Sequence, residues 1–150
     1  MSYRQILYHT IFRTKYSQET INLENAQELY RYIWGVIKNN NCKLYQINGM
    51  EDHIHILSDL HPMVCFADLV KDIKVASSKW AKSSGLFPGF QGWAKKYCTL
   101  TYSYKEKDVI INYIKNQRNH HKKENFHDEM IRLFLENNIL DEEAWFWKED

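Results

Sequence analysis

The hydrophobic pattern in the first half of the chain changes its period twice, and this restricts the fold more than any other feature. Residues 24–39 repeat apolar side chains every three to four positions, which is typical of an amphipathic helix. Residues 42–49 and 53–59 alternate as strands do, and a turn that begins at Asn48 and Gly49 makes them a hairpin. Residues 65–82 return to the helical period. Two antiparallel strands therefore lie between two helices.

Two further strand-like segments flank this unit. Residues 3–13 are rich in aromatic and β-branched side chains, and residues 93–104 follow a loop rich in glycine and proline. The resulting order, β-α-β-β-α-β, predicts an α+β fold of the ferredoxin-like split β-α-β type, an antiparallel four-stranded sheet with helices on one face. Residues 106–123 predict a third helix, and residues 127–139 a short final one. We find no repeat and no long linker, so we expect one domain over residues 1–150.

Charge is distributed unevenly along the chain. The net charge is +1, but residues 71–123 contain 12 Lys and Arg against 3 Asp and Glu, whereas residues 124–150 contain 2 against 9. A basic surface that meets a polyanion explains this pattern, although solvated faces without a partner also produce it. The three cysteines form no CxxC pair, which argues against a thiolate zinc site. Free thiols and the lack of a long apolar run predict a cytoplasmic protein with no membrane span.

The second strand of the hairpin contains two histidines, within the stretch EDHIHIL at residues 51–57. Side chains alternate along a strand, so His53 and His55 point to the same face. Two imidazoles side by side can bind one divalent metal ion through neutral ring nitrogens. The pattern is also found in structural histidines whose hydrogen bonds are satisfied within the fold. The motif alone leaves both interpretations open.

The third helix contains a tyrosine and a glutamine four positions apart, in the stretch YIKNQ at residues 113–117. This spacing places Tyr113 and Gln117 on one helical face. A tyrosine is a possible covalent nucleophile, but its ordinary pKa near 10 makes it a poor one at neutral pH unless a cation or a proton acceptor lies nearby. An ordinary half-buried tyrosine on an amphipathic helix is the alternative.

These stretches resemble one family together. EDHIHIL resembles the His-hydrophobe-His (HUH) motif, and YIKNQRNHHKK resembles the nucleophile helix of the single-tyrosine branch of that family. DLVKDIKVASSKW resembles the helix after the HUH strand, FQGWAKKYCTLTYSY the aromatic fourth strand, and ILYHTIFRTK the first strand. The resemblance covers nearly the whole chain in order. The sequence is similar to the single-strand DNA transposases of bacterial insertion sequences and their REP-associated relatives.

The resemblance implies roles for the matching residues. Tyr113 is expected to be the nucleophile that forms a 5′-phosphotyrosine link, and His53, His55 and Gln117 are expected to bind Mg²⁺ or Mn²⁺. His120 and His121 match the family pattern, but we assign them no chemistry. The family also implies single-stranded, hairpin-forming DNA as substrate, and a homodimer in which Tyr113 of one subunit can complete the site of the other.

Basic side chains along the chain are the expected phosphate contacts, because phosphates need Lys and Arg. The candidates are Arg13, Lys15, Lys71, Lys74, Lys79, Lys95, Lys96, Arg118 and Lys122. A ferredoxin-like module that binds single-stranded nucleic acid without catalysis is the alternative function. A domesticated relative that keeps the chemistry but serves the host is a second alternative, and the sequence does not separate it from an active transposase.

Overall fold

The computed structural model describes residues 3–139 and 143–149, and of residues 143 and 144 it describes the backbone. The strands and helices are β1 (Leu7–Thr14), α1 (Ala26–Asn39), β2 (Leu44–Met50), β3 (His53–Ser58), α2 (Phe66–Ser84), β4 (Trp93–Tyr102), α3 (Lys107–Lys115), α4 (Gln117–His120), α5 (Phe126–Glu136) and α6 (Glu143–Phe146). Two 3₁₀ turns follow β1 and β4, at Lys15–Ser17 and Tyr104–Glu106.

The four strands form one antiparallel sheet in the order β2-β3-β1-β4. This order and the element sequence confirm the predicted α+β fold. Strand β1 is central, because it pairs with β3 on one side and with β4 on the other. Within the described residues, no helix has the length and apolar character needed to cross a bilayer.

Helices α1 and α2 cover one face of the sheet. Their apolar stripes follow the helical period, and Leu29 and Ile33 of α1 and Leu69 of α2 are almost fully buried. They belong to one cluster with Phe12 of β1 and Ile54 of β3. Burial of this apolar surface is the main stabilising contribution on this face.

Helices α3, α4 and α5 cover the opposite face, where the buried residues are mixed. Apolar clusters join Ile11 of β1 to Met130 of α5, and Leu57 of β3 to Ile114 of α3. Between them lie buried histidines, which alternate along β1 and β3 with the residues of the first face. The sheet therefore separates an apolar layer from a polar one.

The hairpin turn lies at Glu51 and Asp52, so the prediction that it begins at Asn48 and Gly49 was wrong. Gly49 is a strand residue instead, paired with Ile54. A β-carbon at position 49 would overlap the carbonyl oxygen of His53 and would lie 2.8 Å from Cα of Ile54. Glycine is needed here for close backbone approach, and not for turn geometry.

The helix predicted over residues 106–123 is interrupted at Asn116, which ends α3 and precedes α4. The acidic C-terminal tail comprises residues 141–150, of which the structure describes residues 143–149. Residues 140–142 and 150 lie outside the described residues. Phe146 of the tail is buried, whereas Trp145 is exposed. The tail thus packs partly into the protein.

Candidate active site

Strands β1 and β3 place three histidines on the face opposite α1 and α2. His53 and His55 point the same way, as the alternation of the strand predicted, and both side chains are fully buried. His9 lies on the same face of β1, with its Nε2 atom 2.8 Å from Nδ1 of His55. Three imidazoles therefore meet at the centre of the sheet.

Contacts at Nδ1 fix the orientation of both β3 histidines. Nδ1 of His53 lies 2.7 Å from Oδ1 of Asp52 in the hairpin turn, and Nδ1 of His55 contacts His9. Phe126 stacks on the His53 ring, with 3.7 Å between the two centroids. Both Nε2 atoms are left to face the interior, the arrangement typical of metal-binding histidines whose other nitrogen has its own partner.

A carboxylate from α5 faces these Nε2 atoms. Oε1 of Glu129 lies 3.3 Å from Nε2 of His55 and 3.6 Å from Nε2 of His53. Nε2 of His121 lies 3.0 Å from the same oxygen. Among the described residues, His53, His55 and Glu129 form a group whose ligand atoms lie within 4.8 Å of one another. Two imidazole nitrogens and a carboxylate oxygen are suitable donors for a divalent ion.

Tyr113 and Gln117 reach the same carboxylate from the other side. The amide nitrogen of Gln117 donates a hydrogen bond of 2.9 Å to Oε2 of Glu129, and the hydroxyl of Tyr113 donates to this oxygen too. The amide oxygen of Gln117 lies 3.5 Å from Nε2 of His53. The four residues predicted for the chemistry therefore surround Glu129, although the helix that contains Tyr113 ends before Gln117.

A cation lies on the outer side of Tyr113. Nη2 of Arg132 donates a hydrogen bond of 2.9 Å to the Tyr113 hydroxyl oxygen. The same guanidinium contacts Glu124 through Nε and Nη2, and Glu136 through Nη1. The tyrosine therefore has both a proton acceptor and a cation beside it, which are the two kinds of neighbour that a phenol nucleophile needs.

The protonation of the site follows from burial and charge. Burial favours a neutral Glu129, but the proximity of His55 and hydrogen bonds from His121, His53 and His55 hold the pKa of Glu129 well below the usual range. Burial and the Glu129 carboxylate raise the pKa of Tyr113, against the opposing effect of Arg132. Burial lowers the pKa of His55. The site thus holds an ionised carboxylate beside a protonated phenol.

Sequence reasoning missed Glu129, His9 and Arg132, and it assigned no chemistry to His121. Two of the three missed residues had a signal. Glu129 interrupts the apolar stripe of α5, which Phe126, Met130 and Leu133 otherwise form, and an acidic residue at a core position needs a buried partner. His9 occupies an inward position of β1, where the alternation of the strand also places Leu7 and Ile11. Arg132 shows no comparable signal, whereas His121 is part of the stretch that resembles the family.

Arg13 was predicted to contact DNA, but the structure places it inside the protein. Its side chain is 1% exposed, and Nη1 forms an ion pair of 2.6 Å with Glu149. Nη2 donates to the carbonyl oxygens of Phe146 and Lys148. The alternation of β1 directs position 13 to the face that the C-terminal tail covers. The prediction that Arg13 contacts DNA was therefore wrong, because its side chain is buried against the C-terminal tail.

The other predicted phosphate contacts differ in exposure. Lys71, Lys79, Lys95 and Lys122 are exposed, whereas Lys15, Lys74, Lys96 and Arg118 are half-buried. The ammonium group of Lys74 donates to the carbonyl oxygen of Lys95, and that of Lys96 lies 4.3 Å from the ring centre of Trp145. The lysines of α2 lie on the layer opposite the histidines. Contact of these side chains with DNA stays a prediction.

Comparison with known proteins assigns a family to this architecture. Residues 2–117 match the family described as "Transposase IS200 like". The chain belongs to the IS200-like transposases. The resemblance inferred from the sequence is confirmed, and the protein is therefore a transposase, an enzyme that processes DNA. The match ends at Gln117, so it does not include α5.

Individual relatives agree with this assignment. The ISDra2 transposase TnpA of Deinococcus radiodurans is 29% identical over 118 residues, which cover 75% of this chain and 84% of that protein. The crystal structure of a candidate transposase from Deinococcus radiodurans R1 has a TM-score of 0.59 at 29% identity, over 78% of this chain and 95% of that one. A REP-associated tyrosine transposase, solved with a REP hairpin, has a TM-score of 0.59 at 15% identity, over 81% of this chain and 74% of that one, and this likeness shows the fold.

Proposed function

We propose that this transposase cuts and rejoins single-stranded DNA through a covalent 5′-phosphotyrosine link on Tyr113. The observation that supports this most directly is the position of the Tyr113 hydroxyl, which donates to Oε2 of Glu129 while Oε1 of the same carboxylate faces His53 and His55. One carboxylate thus joins the nucleophile to the histidine pair. A structural tyrosine on an amphipathic helix would not need this arrangement.

The donor set fits the divalent ion that the family implies. His53, His55 and Glu129 are the residues that would hold it, and the amide oxygen of Gln117 lies close enough to join them. Oxygen donors suit Mg²⁺ and Mn²⁺, and imidazole is a common ligand of transition metals. A bound ion of this kind would polarise the scissile phosphate and neutralise the charge that develops on it.

The side chains of the protein account for the proton and for the geometry. The Tyr113 oxygen attacks phosphorus, and its proton leaves along the hydrogen bond that Glu129 accepts. The bond between phosphorus and the 3′-oxygen breaks, and the 3′-oxygen leaves with the electron pair and takes a proton from solvent. The products are a 5′-phosphotyrosine and a free 3′-hydroxyl. Attack by another 3′-hydroxyl reverses the step and joins new ends without an external energy source.

The DNA surface is proposed from the exposed basic side chains. Lys95 precedes the middle of β4, and Lys122 follows α4 close to His121. Lys71 and Lys79 extend the positive charge along α2. Lys71 and Lys79 lie on the layer opposite the histidines, so we propose that they contact phosphates of the DNA hairpin, whereas Lys122 contacts the single strand that enters the site close to His121.

We also propose that Tyr113 acts in its own chain. The centroid of its ring lies 6.0 Å from that of His55 within one protomer, so no second copy is needed to bring the two together. The homodimer expected from the family stays a prediction, and light scattering after size-exclusion chromatography tests it.

A cleavage assay tests the proposed function. Labelled single-stranded oligonucleotides from the DNA on both sides of the gene, chosen for hairpin-forming sequences, are incubated with the protein and Mn²⁺, and covalent adducts are separated on a denaturing gel. We expect an adduct with the wild type and none with Tyr113→Phe. Tyr104→Phe is the matched control, because Tyr104 is a partly exposed tyrosine that bonds only Lys107 among the described residues.

The outcomes separate the alternatives. An adduct that survives in Tyr113→Phe would assign the nucleophile to another residue. Tight DNA binding by the wild type without any adduct would support the binding module. An adduct lost in Tyr104→Phe as well as in Tyr113→Phe would indicate a loss of folding rather than of a nucleophile.

A further inference from the structure

Helix α5 brings two charged side chains to the nucleophile from outside the part of the chain that matches the family. Glu129 and Arg132 are three positions apart, so they share one face of the helix. Glu129 accepts the hydrogen bond of Tyr113, and Arg132 donates one to the same hydroxyl oxygen. The reacting oxygen is therefore held between an anion and a cation of one helix.

The guanidinium of Arg132 is fixed in place by two carboxylates. Nη2 and Nε donate to Glu124 at 3.1 and 3.2 Å, and Nη1 donates to Glu136 at 3.2 Å. Nη2 lies 2.9 Å from the Tyr113 oxygen. A guanidinium presents its donors in a rigid planar fork, so these contacts set its direction as well as its position. Arg132 is two-thirds buried, which limits screening by water.

The proposed reaction places negative charge on the atom that Arg132 contacts. When a 3′-hydroxyl attacks the phosphotyrosine, the bond between phosphorus and the Tyr113 oxygen breaks and the electron pair stays on that oxygen. The proton of the attacking hydroxyl goes to solvent, and the phenolate later regains a proton from water. In the structure that oxygen lies 2.9 Å from Nη2 of Arg132, so the charge that develops there has a cation in direct contact with it. A preorganised donor aimed at such an oxygen is a common source of transition-state stabilisation.

We propose that Arg132 is a catalytic residue whose guanidinium stabilises the charge on the Tyr113 oxygen as its bond to phosphorus forms and breaks. This inference rests on the proposed function, because it requires Tyr113 to be the nucleophile. It adds a cation that the resemblance did not assign. The competing role is structural, in which Arg132 only joins α5 to Glu124.

Chemical rescue separates these two roles. We compare wild type and Arg132→Ala in single-turnover cleavage and in joining of the isolated covalent adduct, with Mn²⁺ and the flanking hairpin oligonucleotides. Loss of one preorganised donor lowers such rates by about 10²- to 10³-fold, and we expect a decrease of this order in both the cleavage rate and the joining rate of Arg132→Ala. Millimolar guanidinium should restore much of the rate to Arg132→Ala and should not accelerate the wild type. DNA affinity, measured by fluorescence anisotropy, should be unchanged.

Arg31→Ala is the matched control. This variant removes an exposed arginine of α1 that pairs with Glu28, on the layer opposite the histidines, so its rates should stay close to those of the wild type. Rates of Arg132→Ala that equal those of the wild type would overturn the proposal. A loss in Arg132→Ala that guanidinium does not restore would assign Arg132 the structural role and would also overturn the proposal. A loss of equal size in Arg31→Ala would overturn it too, because removal of any arginine would then lower the rates.

Failure of the proposed function gives a different result. Cleavage that persists in Tyr113→Phe would overturn both inferences, since the Tyr113 oxygen would not be the reacting atom. Cleavage that depends on Tyr113 but not on Arg132 would overturn only the role of the arginine. Arg132→Lys adds a further distinction, because a charge without the planar fork should retain part of the rate if the cation acts on the oxygen.

Discussion

The face of the sheet beneath α1 and α2 is apolar, whereas the face beneath α3, α4 and α5 buries three histidines, a glutamine and a glutamate. Both faces exclude water, but different terms stabilise them. On the first face, burial of apolar side chains such as Phe12 and Ile54 stabilises the folded protein. On the second face, His55 and Glu129 are tolerated because both ring nitrogens of His55 and both carboxylate oxygens of Glu129 have hydrogen-bond partners. Substitutions on the first face should therefore change stability, and those on the second should change chemistry.

The largest effect on stability is expected from Ile33→Ala on the apolar face. Ile33 is fully buried within the cluster of α1, α2 and the sheet. Loss of its side chain leaves a cavity, and the free energy of unfolding should fall by about 2–5 kcal/mol. Urea denaturation measures this change. Mn²⁺ affinity of the folded variant should match the wild type, and a weaker affinity would show that the two faces are not independent.

Gly49→Ala should have the next largest effect on stability, since Gly49 lies in β2 directly against the backbone of β3. A β-carbon would press on the backbone of His53 and Ile54, and overpacking of this kind costs about 1–3 kcal/mol. Gly35→Ala is the control, because Gly35 lies in the middle of α1 and a β-carbon added there would meet nothing within 4 Å. That variant should stabilise by about 0.5–1 kcal/mol. Thermal unfolding that ranks the two variants in the opposite order would contradict this expectation.

Glu129→Gln should have the opposite effect to Ile33→Ala, because it should change metal affinity rather than mainly stability. The amide keeps the shape of the side chain but removes the charge that faces His53 and His55, so Mn²⁺ affinity measured by calorimetry should fall by about tenfold or more. Asp128→Asn, the neighbouring exposed carboxylate, should leave the affinity unchanged. Equal losses in both variants would mean that overall charge, and not the buried site, sets the affinity.

The smallest effect concerns a thiol on the active-site face. Burial raises the pKa of Cys98 to about 12, from an ordinary value of 9.0. The folded thiol therefore stays protonated at pH 8 and should resist Ellman's reagent, whereas the exposed Cys65 should react at once. The unfolded thiol ionises above pH 9, so this group also lowers stability as the pH rises from 9 towards 12. Rapid labelling of Cys98 in a Cys65→Ser variant would contradict the burial.

The features that the sequence predicted depend on residues close together in the chain, whereas the features that it missed depend on contacts between distant residues. Local sequence periodicity was enough to predict three features. These are the apolar stripe with Leu29 and Ile33, the shared face of His53 and His55, and the four-residue spacing of Tyr113 and Gln117. Glu129 meets His55 across 74 positions, and only the packing of α5 on the sheet decides that. Arg13 was misplaced because a basic residue at a strand end resembles a surface residue until the tail that covers it is located.

The position of α5 has a consequence for the order in which the molecule folds. The contact between His9 and His55 spans 46 positions and that between His55 and Glu129 spans 74, so the site consists of non-local contacts with a high entropic cost of loop closure. The hairpin of β2 and β3 can form early from neighbouring residues, but the carboxylate and the arginine arrive only after most of the chain has left the ribosome. We therefore expect His53 and His55 of a nascent chain to take up their positions on β3 well before the chain can cut DNA.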